Sequence, residues 1–318
     1  MKSTCFALLL SFAVPALADT VYVSLTKEDA IAVVDGSTGE SRGRVKTGAH
    51  PRGLVLSPDG KRLFVALAED ATVAVIDTVT QEVAARLPVD ESPKSIALDP
   101  AGRLLYATDD AAQRINVVDI VREHVVKRIP VGAEPEGVSV SPDGRWVIST
   151  SEGEDVAYWI NTAKQAVVDL SAVAARPRAS RFTDDGRQLW VSSENAGTVT
   201  VIDVADAHQV KKIAFDLPDL PRDAVKPVGI RIDKGRRFAY IALGRAGRIA
   251  VVDAQRLEVV DYLPAGPRVW NLEFSPDQRR LYAANGGSGD VSVIDLESRR
   301  LLKTLAIGQG PWDLAVGP

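Results

Sequence analysis

Short apolar runs alternate with polar breaks along almost the whole chain. The runs hold four to six residues and are rich in Val, Ile and Leu, as in Gly53-Leu54-Val55-Leu56 and Leu63-Phe64-Val65-Ala66. Turn residues bound them, such as Ser57-Pro58-Asp59-Gly60 and Ser141-Pro142-Asp143-Gly144. Runs this short and this β-branched read as strands, not helices. One kind of run ends in an acid or its amide, at Asp35, Asp77, Asp119, Asn161, Asp203, Asp253 and Asp295. The spacing is 42 residues, except for one interval of 50. Each repeat carries four runs, so the pattern predicts an all-β, seven-bladed β-propeller with four antiparallel strands per blade. The repeated Asp is expected to cap the turn that follows it through its carboxylate.

The ends of the pattern predict closure of the ring. The chain enters at a second-strand run, residues 21–24, and finishes at 312–316, which matches the first-strand run 52–56. The C-terminal strand is therefore expected to complete the blade that the N-terminal three strands begin, which removes the free sheet edges. The extra eight residues fall near 215–225 and read as a lid, a docking loop or a tolerated surface insertion.

Composition adds a compartment and removes several chemistries. Residues 1–18 hold Lys2, an apolar run from Cys5 to Val14, and small residues at Ala16 and Ala18. This reads as a secretory signal peptide, with the propeller domain at 19–318 and a periplasmic destination. Cleavage would remove the only cysteine, and with it any disulfide or covalently held haem. It would also take the formal charge from −4 to −5. That acidic balance, without a basic run, argues against nucleic-acid binding, and the mature form has no membrane span. The three histidines, His50, His124 and His208, sit at unrelated repeat positions, so neither a three-histidine metal site nor an axial pair for haem is expected. Acidic loops such as Asp109-Asp110 offer calcium ligands without the spacing of a calcium loop.

The repeat register locates the residues at the channel mouth. Just before each first-strand run stand Arg52, Lys94, Glu136, Arg178, Val228, Trp270 and Trp312; two positions earlier are His50, Ser92, Glu134, Arg176, Lys226, Arg268 and Gly310. Together these columns carry six Lys or Arg against two Glu. A basic ring with two indoles suits an anionic, flat molecule, with Arg on carboxylates and Trp on the ring. Three positions into the strand, Arg181, Arg231 and Glu273 fall in consecutive repeats and predict an ion-paired polar network in the channel.

The stretch LFVALAEDATVAVIDTVTQEVAARLPV, residues 63–89, resembles the YVTN family of bacterial propellers. Glu134-Pro135-Glu136-Gly137, Trp190-Val191-Ser192-Ser193-Glu194, Lys226-Pro227-Val228-Gly229-Ile230 and Arg268-Val269-Trp270 are similar to the subfamily of β-propeller proteins associated with pyrroloquinoline-quinone-dependent catabolism. Tyr158 departs from it, standing where a histidine is expected. The resemblance implies a non-catalytic, exported binding or docking accessory of quinoprotein alcohol oxidation. Its implied partners are a quinoprotein alcohol dehydrogenase or a cytochrome c, with pyrroloquinoline quinone, a planar tricarboxylate, as the implied ligand. Two alternatives remain at this point. One is a metal-dependent, lactonase-like hydrolase using Glu136, Glu273 and Asn271 on a divalent ion, with His50 as acid/base. The other is a general protein-interaction scaffold.

Overall fold

The computed structural model describes residues 19–317. Seven four-stranded antiparallel sheets form the blades of a β-propeller. The signal-peptide expectation lies outside the described residues, and no helix among them is long and apolar enough to cross a membrane.

The second and third strands of each blade are covered on both faces by neighbouring blades. Strands such as Arg62–Leu67 and Thr72–Asp77 are buried over most of their length, which is why they read as continuous apolar runs. The outermost strands, such as Glu82–Pro88, alternate between exposed and half-buried positions, with one residue near the end, Leu87, buried in the core. One apolar cluster fills each interface between adjacent blades; Trp159 and Phe182, for example, meet edge-to-face between the fourth and fifth.

The terminal Asp of the third strand does cap the next turn. Asp77 Oδ1 accepts the backbone N–H of Val79 and Thr80, each at 2.9 Å. The same carboxylate-to-backbone bonds recur at Asp119, Asp203 and Asp253.

The ring closes as the register predicts. Strand Pro311–Gly317 pairs antiparallel with Thr20–Leu25, matching Val21 with Val316 and Val23 with Leu314. Ala30–Asp35 and Ser41–Lys46 complete that sheet.

The insertion is neither lid nor free loop. Phe215, Leu217 and Val225 are buried in the cluster between the fifth and sixth blades, packed with Trp190 and Ile230. Asp216 N–H donates to Tyr262 Oη at 3.0 Å. Its apolar side chains make it part of the core.

Candidate functional site

The innermost strands of the blades line a central cavity of about 600 Å³. Six of these strands carry a register shift near their start, for example between Pro51 and Leu54, Pro93 and Ile96, and Val23 and Leu25 opposite Pro311. A bulge of this kind bends the strand and re-aims its side chains. The positions it frees include Arg52, Lys94, Glu136, Arg178, Trp270 and Trp312. Hydroxyls of the second strands catch the backbone N–H groups that the bulge releases. Thr108, Thr150, Ser192 and Ser24 accept from Ser95, Gly137, Ala179 and Asp313 at 2.9, 2.9, 3.0 and 3.0 Å.

At this mouth Glu136 is the hub. It is 4% exposed and faces Lys94 Nζ at 3.2 Å, Arg178 Nη2 at 3.1 Å and Arg52 Nη1 at 3.9 Å. Those cations come from three other blades. Burial pushes the Glu136 carboxyl upward, but Arg178, Lys94 and Arg52 together hold it below its ordinary value. Arg178 also pairs with Glu152, lies 3.5 Å from Glu194, and stacks 5.7 Å from the Trp270 ring. Arg52 stacks 5.5 Å from the Trp312 ring. Contacts thus cross the opening from blade to blade and brace it.

The expected surplus of positive charge is corrected here. Asp110 takes Lys94 at 2.9 Å, and Glu152 and Glu194 take Arg176 at 3.3 and 3.2 Å. These three acids follow second strands and neutralise most of the ring, so the mouth is a balanced ion network. The mouth therefore carries far less surplus positive charge than the two columns alone imply. Of the acidic loops weighed as calcium ligands, Asp110 and Glu152 are held by these cations, and Asp109 by Arg114.

The outer column stays on the rim. His50, Glu134, Arg176 and Arg268 occupy loop positions with φ between 52° and 60°, while Lys226 Nζ donates to Asn195 Oδ1 at 3.0 Å. Arg268 stacks 5.0 Å from Trp270. Of the predicted residues, Glu136, Arg178, Trp270, Trp312, Arg181, Arg231 and Glu273 line the cavity; His50, Arg52, Lys94, Glu134, Arg176, Lys226 and Arg268 do not. Tyr158, where a histidine was expected, bonds Glu154 at the periphery.

Deeper in the channel the predicted network forms only in part. Arg231 pairs with Glu273, Nε and Nη2 both reaching Oε2 at 3.0 and 2.8 Å. Arg181 does not join: no hydrogen bond or ion pair reaches its guanidinium among the described residues, and its side chain is open to the cavity. Burial and the neighbouring charge of Arg231 hold its pKa below the ordinary value.

Sequence reasoning missed Asp313. It stands at the bulge of the closing strand and lines the cavity. Its Oδ2 accepts Leu54 N–H at 3.0 Å and its Oδ1 accepts Leu314 N–H at 2.9 Å. Burial nevertheless pushes its carboxyl up to about 6, against partial relief from Arg231. The clue was in the register: its column reads Gly53, Ser95, Gly137, Ala179, Gly229, Asn271 and Asp313, with a single acid.

The raised value has a thermodynamic sign. The folded state binds a proton at Asp313 more tightly than the unfolded chain, so this group's contribution to stability is fully present below 3.8 and is lost as pH rises through about 6. Asp313→Asn removes that dependence. The melting temperature of the variant minus that of wild type is expected to grow between about pH 4 and pH 7; a constant difference across that range would refute the shift.

The metal-site version of the alternative is not supported by these contacts. Glu136 is held by cations at the mouth, Glu273 by Arg231, and Asn271 Nδ2 donates to Trp312 O at 3.2 Å. His50 faces Glu69 outside the cavity lining. Among the described residues no group of three or more His, Cys, Asp or Glu is placed to hold a metal ion.

With the site in view, comparison with known proteins decides the family. The sequence model described as "Lactonase, 7-bladed beta-propeller" matches residues 131–306, more than half of the chain. The chain belongs to the seven-bladed β-propeller lactonase family. A second model, described as a YNCE-like beta-propeller, matches residues 16–144. No curated protein matches this lactonase-family chain.

Solved structures share its fold at low identity. The periplasmic gluconolactonase of Pseudomonas aeruginosa superposes with a TM-score of 0.79 at 18% identity, over 95% of this chain and 99% of that one. Hydrazine synthase of Kuenenia stuttgartiensis gives 0.78 at 23% identity, over 87% and 92%. A functionally unknown protein from Desulfotomaculum acetoxidans gives 0.81 at 13% identity, over 93% and 98%. The spread of their descriptions confines these likenesses to architecture.

The family match overturns the expectation of a non-catalytic docking accessory. The hydrolase alternative is the better supported of the two, and the resemblance to the quinone-associated subfamily reaches only as far as the propeller repeat.

Proposed function

We propose that this protein is an exported hydrolase that opens lactone rings inside the propeller channel. Asp313 carries the reading. It is a cavity-facing carboxylate whose pKa of about 6 poises it as a general base near neutral pH. In this mechanism Asp313 takes a proton from water as the oxygen attacks the lactone carbonyl. The C–O bond to the ring oxygen then breaks, that oxygen takes a proton, and one water has converted the lactone to a hydroxy acid. Arg231, fixed by Glu273, supplies positive charge beside the developing oxyanion. Trp270 and Trp312 line the same cavity and bound the space that a sugar ring would fill at the braced end.

The resemblance to proteins of quinone-dependent catabolism is compatible with this reading on chemical grounds. Oxidation of a cyclic hemiacetal releases a lactone, which a hydrolase then consumes.

The test follows acid release from five- and six-membered lactones in a pH-stat, corrected for spontaneous opening. Wild type is expected to accelerate opening, with kcat/KM rising with pH through about 6 as Asp313 ionises. Asp313→Asn is expected to lose at least about 100-fold, the usual scale of general-base catalysis. No acceleration on any lactone, or a variant as active as wild type, would sink the proposal.

A further inference from the structure

We propose that the channel takes a carboxylate monoanion on Arg181, so that the substrate of the hydrolase reading above is a lactone bearing one free carboxylate. The ionisable groups along the cavity are Arg178, Arg181, Arg231 and Lys234 on one side of the ledger, and Glu136, Asp184, Glu273 and Asp313 on the other. Arg178 is held by Glu136 and Glu152, and Arg231 by Glu273. Lys234 and Asp184 stand exposed at the far rim, in the turns that follow the inner strands. That leaves Arg181 as the one cation on an inner strand of the lining, among the described residues, with neither an ion pair nor a hydrogen bond. Arg181 is exposed to the cavity, so its guanidinium is accessible to an anion, and a charge-assisted pair there is stronger than a neutral hydrogen bond. Its planar fork matches a carboxylate through two parallel N–H donors.

The charge count selects the class of anion. With every group ionised the lining is balanced, four positive against four negative. A monoanion on Arg181 leaves one negative charge in excess. A phosphate monoester dianion leaves two, facing Glu273 and Asp184, the acids nearest in effect to Arg181. Like charges confined to a cavity repel strongly, so the dianion is disfavoured.

The experiment reads binding, not turnover, and so stands apart from the lactonase assay. Purified mature protein is titrated at about pH 7.5 with glucuronate, glucose 6-phosphate and glucose, following Trp fluorescence and calorimetry. Glucuronate is expected to bind at least about tenfold tighter than either of the others. Arg181→Gln is expected to abolish the preference and Arg181→Lys to retain part of it, with circular dichroism confirming the fold of both. Tighter binding of the phosphate, equal binding of all three sugars, or an unchanged preference in Arg181→Gln would overturn the proposal. If glucuronate binds as expected while no lactone is opened, the carboxylate site stands and the hydrolase reading fails; the converse result separates them equally well.

Discussion

A chain that stops before Pro311 is expected to fail to form a stable ring. Strand Pro311–Gly317 is the innermost strand of the sheet that joins the two ends of the chain. It pairs with Thr20–Leu25 and buries Leu314 to 1% exposure in one cluster with Val21, Val23 and Tyr282, which bridges the first and seventh blades. Ser24 and Asp313 bond across the same seam, 289 residues apart in sequence. Bringing ends so distant together costs on the order of 5 kcal/mol of chain entropy, which local contacts must offset. Without the strand, the second strand of that blade presents an open edge and the apolar cluster is uncovered, a recipe for aggregation. The truncated protein should partition into the insoluble fraction, or melt with no cooperative transition by circular dichroism. A milder variant, Leu314→Asp, puts an unpaired charge in the seam and should cost at least about 4 kcal/mol, read from the urea midpoint. A soluble truncation melting within a few degrees of wild type would show that the ring does not depend on this closure.

The fold was legible because propeller blades repeat their grammar at fixed spacing. The acid ending the third strand, the Ser-Pro-Asp-Gly turns and the position of residues 312–316 each agreed with the same seven-fold register. The insertion was located by that register but its role was not. Phe215, Leu217 and Val225 sit among prolines and aspartates, and a sequence of that kind does not reveal that three of its side chains fill a gap between blades. Burial there depends on the neighbouring Trp190 and Ile230, which no local pattern links to it.

The site was legible by column and not by contact. Arg52, Lys94, Glu136, Arg178, Trp270 and Trp312 do meet, because the register places equivalent residues at one end of the channel. Their net charge was misjudged because the counter-ions lie in another column, Asp110, Glu152 and Glu194, spaced by the same 42 residues but one strand further on. Arg181, Arg231 and Glu273 share a column, yet only Arg231 pairs with Glu273, leaving Arg181 bare. Asp313 escaped notice because it occupies a bulge position. A bulge arises from how two strands pair, so its effect on a side chain's direction is settled by tertiary structure. The hydrolase reading came from neither column nor contact. The repeats of an accessory and of a hydrolase share the same strand grammar, and the family match over residues 131–306 is what favours the hydrolase.

Glu136→Gln is expected to produce the largest loss of stability of any single substitution at the channel mouth. The carboxylate is buried and serves Lys94, Arg178 and Arg52 at once. Removing its charge leaves three cations facing one another with Asp110, Glu152 and Glu194 as remaining partners. Breaking a buried pair by deleting one member typically costs about 3–5 kcal/mol, because the partner's desolvation is no longer repaid. The effect is expected near the top of that range, since one carboxylate is shared by three blades and its loss loosens their mutual bracing. Arg176→Gln is the control: Arg176 lies on the exposed rim against Glu152 and Glu194, so its loss should cost less than about 1 kcal/mol. The pH dependence follows from the depressed carboxyl. The stabilisation is present above the ordinary value of 4.5 and is lost as pH falls through the lower native value, so the gap between wild type and Glu136→Gln should close in acid. Added salt should narrow the gap only slightly, because buried charges are poorly screened. Urea midpoints at neutral and acid pH check both statements. A Glu136→Gln protein as stable as Arg176→Gln at neutral pH would mean that Glu152, Glu194 and Asp110 suffice to hold the cations, and that the hub lies with Arg178 instead.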